Sequence, residues 1–326
     1  MRRICCFSFL LALFLSGCAP VPVQPSADPG PTPEALAQPS GQTPDTVTFT
    51  DDLGRELTVP RPQRVAALIG SFADIWCLAG GKDTLIAAAG DAWTNFDLGL
   101  DKSVDDLGSV KEPSLEVLLA ARPDFVLASV NTAADMELLD TFEDAGIPAA
   151  YFEVDNFEDY LRMLDICVRL TGRSECYETY GLQVKERVER AVARQGGTAP
   201  KVLYVRASAS SVKVKNSQGS VLGEMLADLG CVNVADRDGA LLENLSIEGI
   251  IAADPDYIFA VLQGADKDKA RTSLEAALLS NPAWGALRAV EEGRFHTLDH
   301  TLYNVKPNGR WGEAYEKLAD ILYPER

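Results

Sequence analysis

A fifteen-residue segment occurs twice in this chain and constrains its fold more than any other feature. Residues 114–128 read SLEVLLAARPDFVLA, and residues 246–260 read SIEGIIAADPDYIFA. Seven of the fifteen aligned positions are identical at a constant offset of 132 residues, and most of the others exchange one apolar residue for another. An internal repeat of this kind indicates that both halves of the chain contain the same supersecondary unit.

Each copy has the pattern of a helix, a tight turn and a strand. Ser114 and Ser246 are expected N-caps, because apolar residues at helical spacing follow each of them. Each helix must end before the proline of its copy, since the residue preceding proline is pushed out of the α region. The β-branched and aromatic residues that follow are typical of a buried parallel strand. We therefore predict two similar α/β lobes, with Asp124 and Asp256 as turn residues.

The N-terminus has the features of a bacterial lipoprotein signal. Arg2 and Arg3 precede an apolar run over residues 4–15 that is too short to span a bilayer. The run ends in the sequence LSGC at residues 15–18, which resembles a lipobox. This predicts a signal peptide over residues 1–17 and a Cys18 that carries the lipid and becomes the first mature residue. An ordinary secretory signal with an incidental cysteine is the alternative.

The segment after Cys18 is predicted to be a disordered tether. Residues 19–46 contain eight of the eighteen prolines and almost no apolar side chains. Such a composition cannot offset the entropy of ordering by burying surface. The tether, residues 18–46, leaves roughly 280 residues of folded chain, which is enough for two lobes with substantial cores.

Composition excludes several classes of function. The formal net charge is −18, which argues against binding to nucleic acid or to anionic headgroups. No HExxH, GxSxG, GxGxxG or P-loop motif occurs, so neither an enzyme nor a cofactor is expected.

Beyond Cys18, the cysteines show no ligand spacing and are expected to be buried and free, with a Cys167–Cys176 bridge as the alternative.

Strands and helices alternate along most of the remaining chain, which is typical of doubly wound parallel sheets. A hairpin is expected over residues 47–59, a helix from Gly70 to the Gly80-Gly81 pair, and a loop over residues 90–96. The other predicted strands cover residues 64–69, 85–89, 107–110, 147–152, 202–205, 256–261 and 294–298. The other predicted helices cover residues 133–145, 219–229, 246–253, 267–279 and 309–322.

Residues 156–195 differ from the rest, since two long helical patterns run there without a strand and are broken near residues 171–174. We interpret this stretch as a spacer between the lobes. The expected boundaries are residues 47–155 for the N-terminal lobe, 156–198 for the helical linker and 199–326 for the C-terminal lobe.

The ordered set of segments resembles one known family. It comprises the hairpin with DDLGRELTVP, the strand with RVAAL, the block LGSVKEPSLEVLLAARPDFVL and the central helix. Together with the lipobox, these are similar to the class III periplasmic binding proteins, the receptors of ABC importers for ferric siderophores, haem and cobalamin. The resemblance extends from about residue 46 to the C-terminus. It implies an α/β fold of two Rossmann-like lobes joined by one long helix, with the ligand in the cleft between them.

Candidate ligand-binding residues follow from the rule that open α/β sheets present their crevices at the carboxyl ends of strands. They are Ser71, Trp93, Asn131, Arg206, Lys215, Gln263, Tyr303, Lys306 and Arg310. Trp93 and Tyr303 offer aromatic surfaces, and the cationic side chains suit carboxylates or an anionic iron complex.

Plainer interpretations of these residues stay open. Trp93 is equally explained by packing, and Lys213 and Lys215 by the solvent face of a strand. Trp311 is expected in the core.

Glu116 and Glu248 are the charged residues of the repeat that local structure does not require. Each lies near the start of its helix, where a carboxylate gains about 0.3–1 kcal/mol from the helix dipole. The resemblance implies a further role, in which one glutamate on each lobe docks onto the dimeric permease.

The expected function is a lipid-anchored, monomeric receptor that binds a ferric siderophore outside the cytoplasm and contacts the membrane through its anchor alone. It would deliver the siderophore to an ABC permease and its ATPase. Cobalamin or haem is the alternative ligand. For haem, His300 or Tyr303 is a candidate axial ligand, although His296 and His300 alone make a metal site a weak expectation. A ligand-free, envelope-tethered interaction module is the alternative from a different class.

Overall fold

The computed structural model describes residues 46–237, 239–264 and 266–324. Its strands are β1 (Thr46–Thr50), β2 (Glu56–Pro60), β3 (Val65–Ala67), β4 (Leu85–Ala88), β5 (Asp105–Asp106), β6 (Gly108–Ser109), β7 (Glu112–Pro113), β8 (Phe125–Ser129), β9 (Ala149–Phe152), β10 (Lys201–Ala207), β11 (Val212–Lys215), β12 (Val232–Asn233), β13 (Tyr257–Leu262) and β14 (Phe295–Leu298). The predicted signal peptide and Cys18 lie outside the described residues, as does the predicted tether apart from Thr46.

Helices connect most of these strands. They are α1 (Gly70–Leu78), α2 (Asp91–Thr94), α3 (Leu115–Ala121), α4 (Ala133–Glu137), α5 (Leu139–Ala145), α6 (Phe157–Thr171), α7 (Ser174–Tyr177), α8 (Gln183–Val192), α9 (Val221–Asp228), α10 (Gly239–Glu243), α11 (Ile247–Ala253), α12 (Lys267–Leu274), α13 (Arg288–Glu291), α14 (His300–Tyr303) and α15 (Trp311–Leu322). Short 3₁₀ turns cover Lys82–Thr84, Val234–Asp236 and Asn308–Arg310, and π-helical turns cover Glu178–Leu182 and Glu275–Leu279.

Two five-stranded sheets form the two halves of the molecule. The first has the order β5-β4-β3-β8-β9 and is parallel throughout. The second has the order β11-β10-β13-β14 with β12 also beside β10. In it β11 is antiparallel to β10, and the other pairs are parallel. In each sheet the chain adds strands on one side of its first strand and then crosses to the other. Such a reversal leaves a crevice at the carboxyl ends of the strands.

The central strands β3, β8 and β13 are buried on both faces, which explains their continuous apolar sequences. In β8, Phe125 and Leu127 belong to one apolar cluster, and Val126 and Ala128 belong to another on the opposite face. The alternate residues of β10 and β13 are divided between the first of these clusters and a third one in the same way. The first cluster is therefore shared, because it contains buried residues from both sheets and from the helices between them.

The repeat predicted from the sequence is confirmed in detail. The side chain of Ser114 accepts a hydrogen bond from the backbone N–H of Val117 at 3.4 Å, and that of Ser246 accepts one from Gly249 at 3.2 Å. Both helices end in a residue with left-handed backbone geometry, Arg122 with φ 50° and Asp254 with φ 43°. The repeat therefore preserves the caps of the helix as well as its sequence.

The two aspartates of the repeat do more than form turns. Asp124 accepts a hydrogen bond from the backbone N–H of Arg64 at 2.9 Å, and Asp256 accepts one from Lys201 at 2.8 Å. Each carboxylate thus fixes the start of the neighbouring first strand of its sheet, β3 or β10.

The linker between the sheets consists of helices broken where the sequence indicates. Asn156 and Asp159 form a capping box at the start of α6, and Gly172, with φ 72°, ends it. The chain then continues through α7, a π-helical turn and α8. This last helix packs against α15, and Arg187 makes hydrogen bonds of 2.9 and 2.6 Å to Glu316 across that contact.

Three local predictions differ from the structure. The expected loop over residues 90–96 contains α2. The expected strand over 107–110 is replaced by β5, which joins the sheet, and by the β6–β7 hairpin. Gly108, with φ 80°, bends the chain between them, and this conformation favours glycine. The expected helix over 133–145 is two helices that meet at Leu138.

Cys77, Cys167, Cys176 and Cys231 are free thiols, so the Cys167–Cys176 bridge considered as an alternative is not formed. Among the described residues, no helix is long and apolar enough to cross a membrane.

Candidate functional site

A cavity lies between residues that follow the strands of the two sheets. It encloses about 460 Å³. Thr94 and Asn95 line it from the first half of the chain. From the second half it is lined by Gly264, Lys267, His300, Asn304 and Val305. These residues come after β4, β13 and β14, which is where the strand-end rule predicts a ligand crevice.

A second cavity of about 360 Å³ is also lined by residues of the segment 300–310. Asn95 lines both cavities. The second one is also bordered by Asp74 of α1 and by Arg310. Segment 300–310 therefore lines both cavities, and both also border the loop after α2.

Trp93 is an exposed residue of α2, and α2 packs closely against α1. Its side chain is 40% exposed, whereas the other three tryptophans are 5% exposed or less. A Cβ added at Gly70 would lie 2.5 Å from the backbone N of Ala92 and 2.8 Å from its Cα. Glycine at this position thus lets α1 approach α2 and sets the position of Trp93.

Gly70→Ala is expected to lower the free energy of unfolding by about 1–3 kcal/mol, because the added methyl group meets backbone that no side-chain rotation can move. The tryptophan emission spectrum should change with it, since α2 carries the one exposed indole. Gly196→Ala is the control, because a Cβ there meets nothing within 4 Å. Urea titrations followed by circular dichroism measure both variants. Equal stabilities would show that α2 does not depend on this close contact.

Lys306 is a cation of the second half that lies in the field of carboxylates from the first half. Burial lowers its pKa, and nearby negative charges act in the opposite direction. Those charges are Asp155, Asp91, Asp159 and Glu153. Asp91 in turn accepts a hydrogen bond from the backbone N–H of Gly70 at 2.7 Å, and burial raises its pKa. Lys306 is therefore the counter-charge of a group of carboxylates that surrounds it.

Three cations lie together on the edge of the second sheet. Arg206 is opposite Lys213 in the β10–β11 pair, and Tyr204 is opposite Lys215, so all four side chains share one face. Burial lowers the pKa of Lys215, and the positive charges of Arg206 and Lys213 lower it further. In the part of the chain that the structure describes, none of the three cations forms an ion pair. We call Arg206, Lys213 and Lys215 the cation cluster.

The guanidinium of Arg206 is oriented by an aromatic neighbour. Its Nε donates a hydrogen bond to the Tyr204 hydroxyl at 3.1 Å, and the group lies 5.7 Å from the centre of the Tyr204 ring. The two terminal nitrogens are left to donate elsewhere.

Two amide side chains lie at strand ends, where the sequence places them. Asn131 is exposed, and its Nδ2 donates to Asp155 at 3.2 Å. Gln263 is half-buried, and its backbone N–H donates to the carbonyl of Ala207 at 2.8 Å.

Other residues singled out from the sequence are buried or paired within the protein. Ser71 is buried, and its carbonyl accepts a hydrogen bond from Asn308. Tyr303, predicted to offer an aromatic surface, is instead buried and donates to the carbonyl of Ala314 at 3.0 Å. Trp311 is buried, as predicted. Arg310 is exposed and donates to both carboxylate oxygens of Glu313, at 2.8 and 3.2 Å.

Asn308 links the two halves of the chain and was missed by the sequence analysis. It is fully buried, and its Nδ2 donates to the carbonyl of Ser71 at 2.8 Å and to Asp74 at 2.9 Å. Its φ of 50° is left-handed, a conformation that asparagine tolerates better than most residues. The sequence Pro-Asn-Gly at residues 307–309 is a turn signal that could have marked this position.

The two histidines occupy different environments. His296 is stacked against Tyr257 and Phe259 on one face of the second sheet. His300 lines the 460 Å³ cavity. Burial lowers the pKa of His300, the charge of Lys267 lowers it further, and Asp299 acts in the opposite direction.

Glu116 and Glu248 are both exposed in the first turns of α3 and α11. Ser246 donates a hydrogen bond to Glu248 at 2.8 Å. The local backbone and this hydroxyl together lower the pKa of Glu248. Among the described residues, no group of three or more His, Cys, Asp or Glu side chains could hold a metal ion.

Comparison with known proteins agrees with this architecture. The iron-uptake system-binding protein of Bacillus subtilis (strain 168) is 26% identical over 273 residues, which cover 81% of each chain. The ferric-anguibactin-binding protein FatB of Vibrio anguillarum (strain ATCC 68554 / 775) is 23% identical over 270 residues, which cover 78% of this chain and 80% of that one.

A solved structure shows the same fold. The periplasmic heme-binding protein RhuT from Roseiflexus sp. RS-1, in apo form, superposes with a TM-score of 0.65 at 23% identity and covers 80% of this chain and 98% of its own. The family model described as periplasmic binding protein matches residues 65–302. This chain therefore belongs to the periplasmic binding protein family, and it is a binding protein rather than an enzyme.

Proposed function

We propose that this chain is a lipid-anchored receptor that captures a ferric siderophore between its lobes, outside the cytoplasm, and delivers it to the permease dimer of an ABC importer. The observation that carries the choice of ligand is the cation cluster at the edge of the second sheet. The two relatives whose names refer to iron uptake and to ferric anguibactin support an iron-containing ligand. The receptor acts as a monomer, tethered through Cys18.

The cation cluster favours an anionic ligand on electrostatic grounds. Three positive charges on one face of a two-stranded edge repel one another, and burial of Lys215 adds to the cost. An anion bound there offsets both effects. Arginine also presents a planar fork that suits carboxylates and other chelating oxygens. A ferric complex with net negative charge satisfies these requirements, and Trp93 can supply the aromatic surface.

Docking to the permease is assigned to the two glutamates of the repeat. Glu116 and Glu248 occupy equivalent exposed positions on the two lobes. Two matching acidic groups suit a partner with two-fold symmetry that presents cations.

Tryptophan fluorescence tests the ligand. Trp93 is the exposed indole, so quenching by a bound ferric complex reports mainly on this residue. The protein from residue 46 onward is titrated with a ferric hydroxamate, a ferric catecholate, haem and cobalamin. Saturable sub-micromolar quenching by one of the ferric complexes supports the proposal, and Trp93→Phe should lose the signal while calorimetry still detects binding. Flat titrations with all four ligands would overturn it.

Arg206→Gln and Lys213→Gln are each expected to weaken binding of the ferric siderophore by about tenfold to a hundredfold, because a hydrogen bond to a charged group contributes about 1.5–3 kcal/mol. Lys185→Gln on α8 is the control for the change in net charge. Calorimetric affinities measure all three. Affinities that fall equally in the control would indicate long-range electrostatics rather than a site at the cation cluster.

Haem is a second candidate ligand, because His300 lines the larger cavity and burial favours its neutral form. A neutral imidazole is the form that binds a metal. The haem arm of the titration distinguishes the two candidates, since axial ligation by His300 would shift the Soret band.

A further inference from the structure

The outer faces of α3 and α11 carry the same unusual set of side chains. In α3 the exposed positions are Glu116, Leu119 and Ala120, and in α11 they are Glu248, Ile251 and Ala252. These positions match one to one at the repeat offset of 132 residues. We call the two sets the docking patches. An outer helix face is normally polar, whereas each docking patch has one charge and two apolar side chains.

The apolar residues of the docking patches are strongly exposed. Leu119 is 39% exposed and Ile251 is 46% exposed. The preceding residues, Leu118 and Ile250, are fully buried. Each helix therefore packs against the core through these residues, and the outward-facing Leu119 and Ile251 do not contribute to the core. Among the described residues, the other large apolar side chains exposed to this extent are Trp93, Leu182 and Leu242. Scattered apolar side chains need no explanation, but two at equivalent positions of a repeat do.

The geometry of each docking patch is that of a single contact surface. Glu116 and Leu119 are three residues apart, as are Glu248 and Ile251, so the carboxylate and the apolar side chain lie on the same side of the helix. Alanine at the next position leaves room for close approach.

We propose that Leu119 and Ile251 are the apolar half of the permease-docking surface, and that the partner presents the same feature twice, a cation beside an apolar pocket. This inference rests on the proposed function, since it requires a two-fold symmetric permease. The carboxylates provide charge complementarity and steer the encounter. The apolar side chains provide burial and slow the dissociation.

The test uses the full chain and the permease–ATPase complex of the importer that it serves, reconstituted in nanodiscs. Leu119→Asp and Ile251→Asp are each expected to weaken binding to the complex by about tenfold or more, and the two effects should be similar. Ile251→Leu keeps an apolar side chain at this position and should therefore bind with the affinity of the native protein. Leu182→Asp is the matched control, because Leu182 is 43% exposed and lies outside the repeat.

The outcomes separate this inference from the function on which it rests. Loss of binding in both docking-patch variants but not in Leu182→Asp supports it. Native affinity in both variants, with loss in Glu116→Gln and Glu248→Gln, would overturn the apolar contribution and leave docking by the glutamates. An equal loss in Leu182→Asp would also overturn it, because the effect would then be general. Ligand titrations by fluorescence should be unchanged in every variant, so failure of the ligand proposal appears separately.

Discussion

Asp135→Asn is expected to remove about 2–3 kcal/mol of the difference in unfolding free energy between pH 5 and pH 8. Asp135 is fully buried in the first turn of α4. Its Oδ2 accepts a hydrogen bond from the backbone N–H of Ser129 at 2.8 Å, but its Oδ1 is buried without a hydrogen-bond partner among the described residues. Burial raises the pKa of Asp135 from 3.8 to about 7, and the negative charge of Asp91 adds to the increase.

The direction of the pH dependence follows from the raised pKa. Between pH 3.8 and about 7 the folded protein holds a proton on Asp135 that the unfolded chain has lost. The stabilisation from this group is therefore complete below pH 3.8 and is lost as the pH rises through 7. Asparagine has the same shape and no charge, so the variant should lose less stability than the native protein between pH 5 and pH 8.

Urea unfolding at the two pH values measures this effect. Asp140→Asn is the control, because Asp140 is an exposed carboxylate on the neighbouring helix α5, and its removal changes the net charge by the same amount. Identical pH dependence in Asp135→Asn and in the native protein would show that Asp135 titrates as it does in the unfolded chain.

Asn308→Ala is expected to lower the free energy of unfolding by about 3–5 kcal/mol. The substitution leaves the carbonyl of Ser71 and the carboxylate of Asp74 without the amide that now donates to both, which costs about 1–3 kcal/mol for each buried group. The left-handed backbone at residue 308 adds about 1–2 kcal/mol for alanine.

Asn308→Gly separates the two contributions, since glycine adopts the left-handed conformation without strain. It should lose the hydrogen bonds alone and therefore be about 1 kcal/mol more stable than the alanine variant. Denaturant titrations at pH 8 compare the three proteins. That pH lies above the pKa of about 6 to which burial raises Asp74, so its carboxylate is charged throughout. An alanine variant as stable as the native protein would show that the contact between the two halves at Asn308 contributes nothing.

The elements that sequence predicted well are those with a strong local pattern. The helix–turn–strand repeat has an N-cap serine, a proline and a buried strand in each copy, and each of these acts locally. The break between α6 and α7 was equally visible, because Gly172 supplies the left-handed cap that ends α6. Patterns of this kind need no knowledge of distant residues.

The features that could not be predicted from the sequence depend on contacts between residues far apart in the chain. Tyr303 follows a strand, as a ligand-contacting aromatic residue would, but its burial depends on α15, where the carbonyl of Ala314 accepts a hydrogen bond from its hydroxyl. Asn308 bonds to residues more than two hundred positions away. The antiparallel direction of β11 depends on the short turn after β10, where the backbone N–H of Ser208 donates to the carbonyl of Ser211. No periodicity within the chain encodes such partners.

The apolar cluster shared by the two sheets has a consequence for how the protein unfolds. Residues of the first sheet such as Phe125 belong to the same cluster as Tyr204 and Phe259 of the second and Trp311 of the last helix. The described residues form one compact unit. Separating the halves would expose this cluster to water, so neither half has a complete core of its own. The folded part should therefore lose its structure in a single cooperative transition. A partly unfolded form with one intact half would be scarcely populated, which limits the access of proteases to unfolded segments.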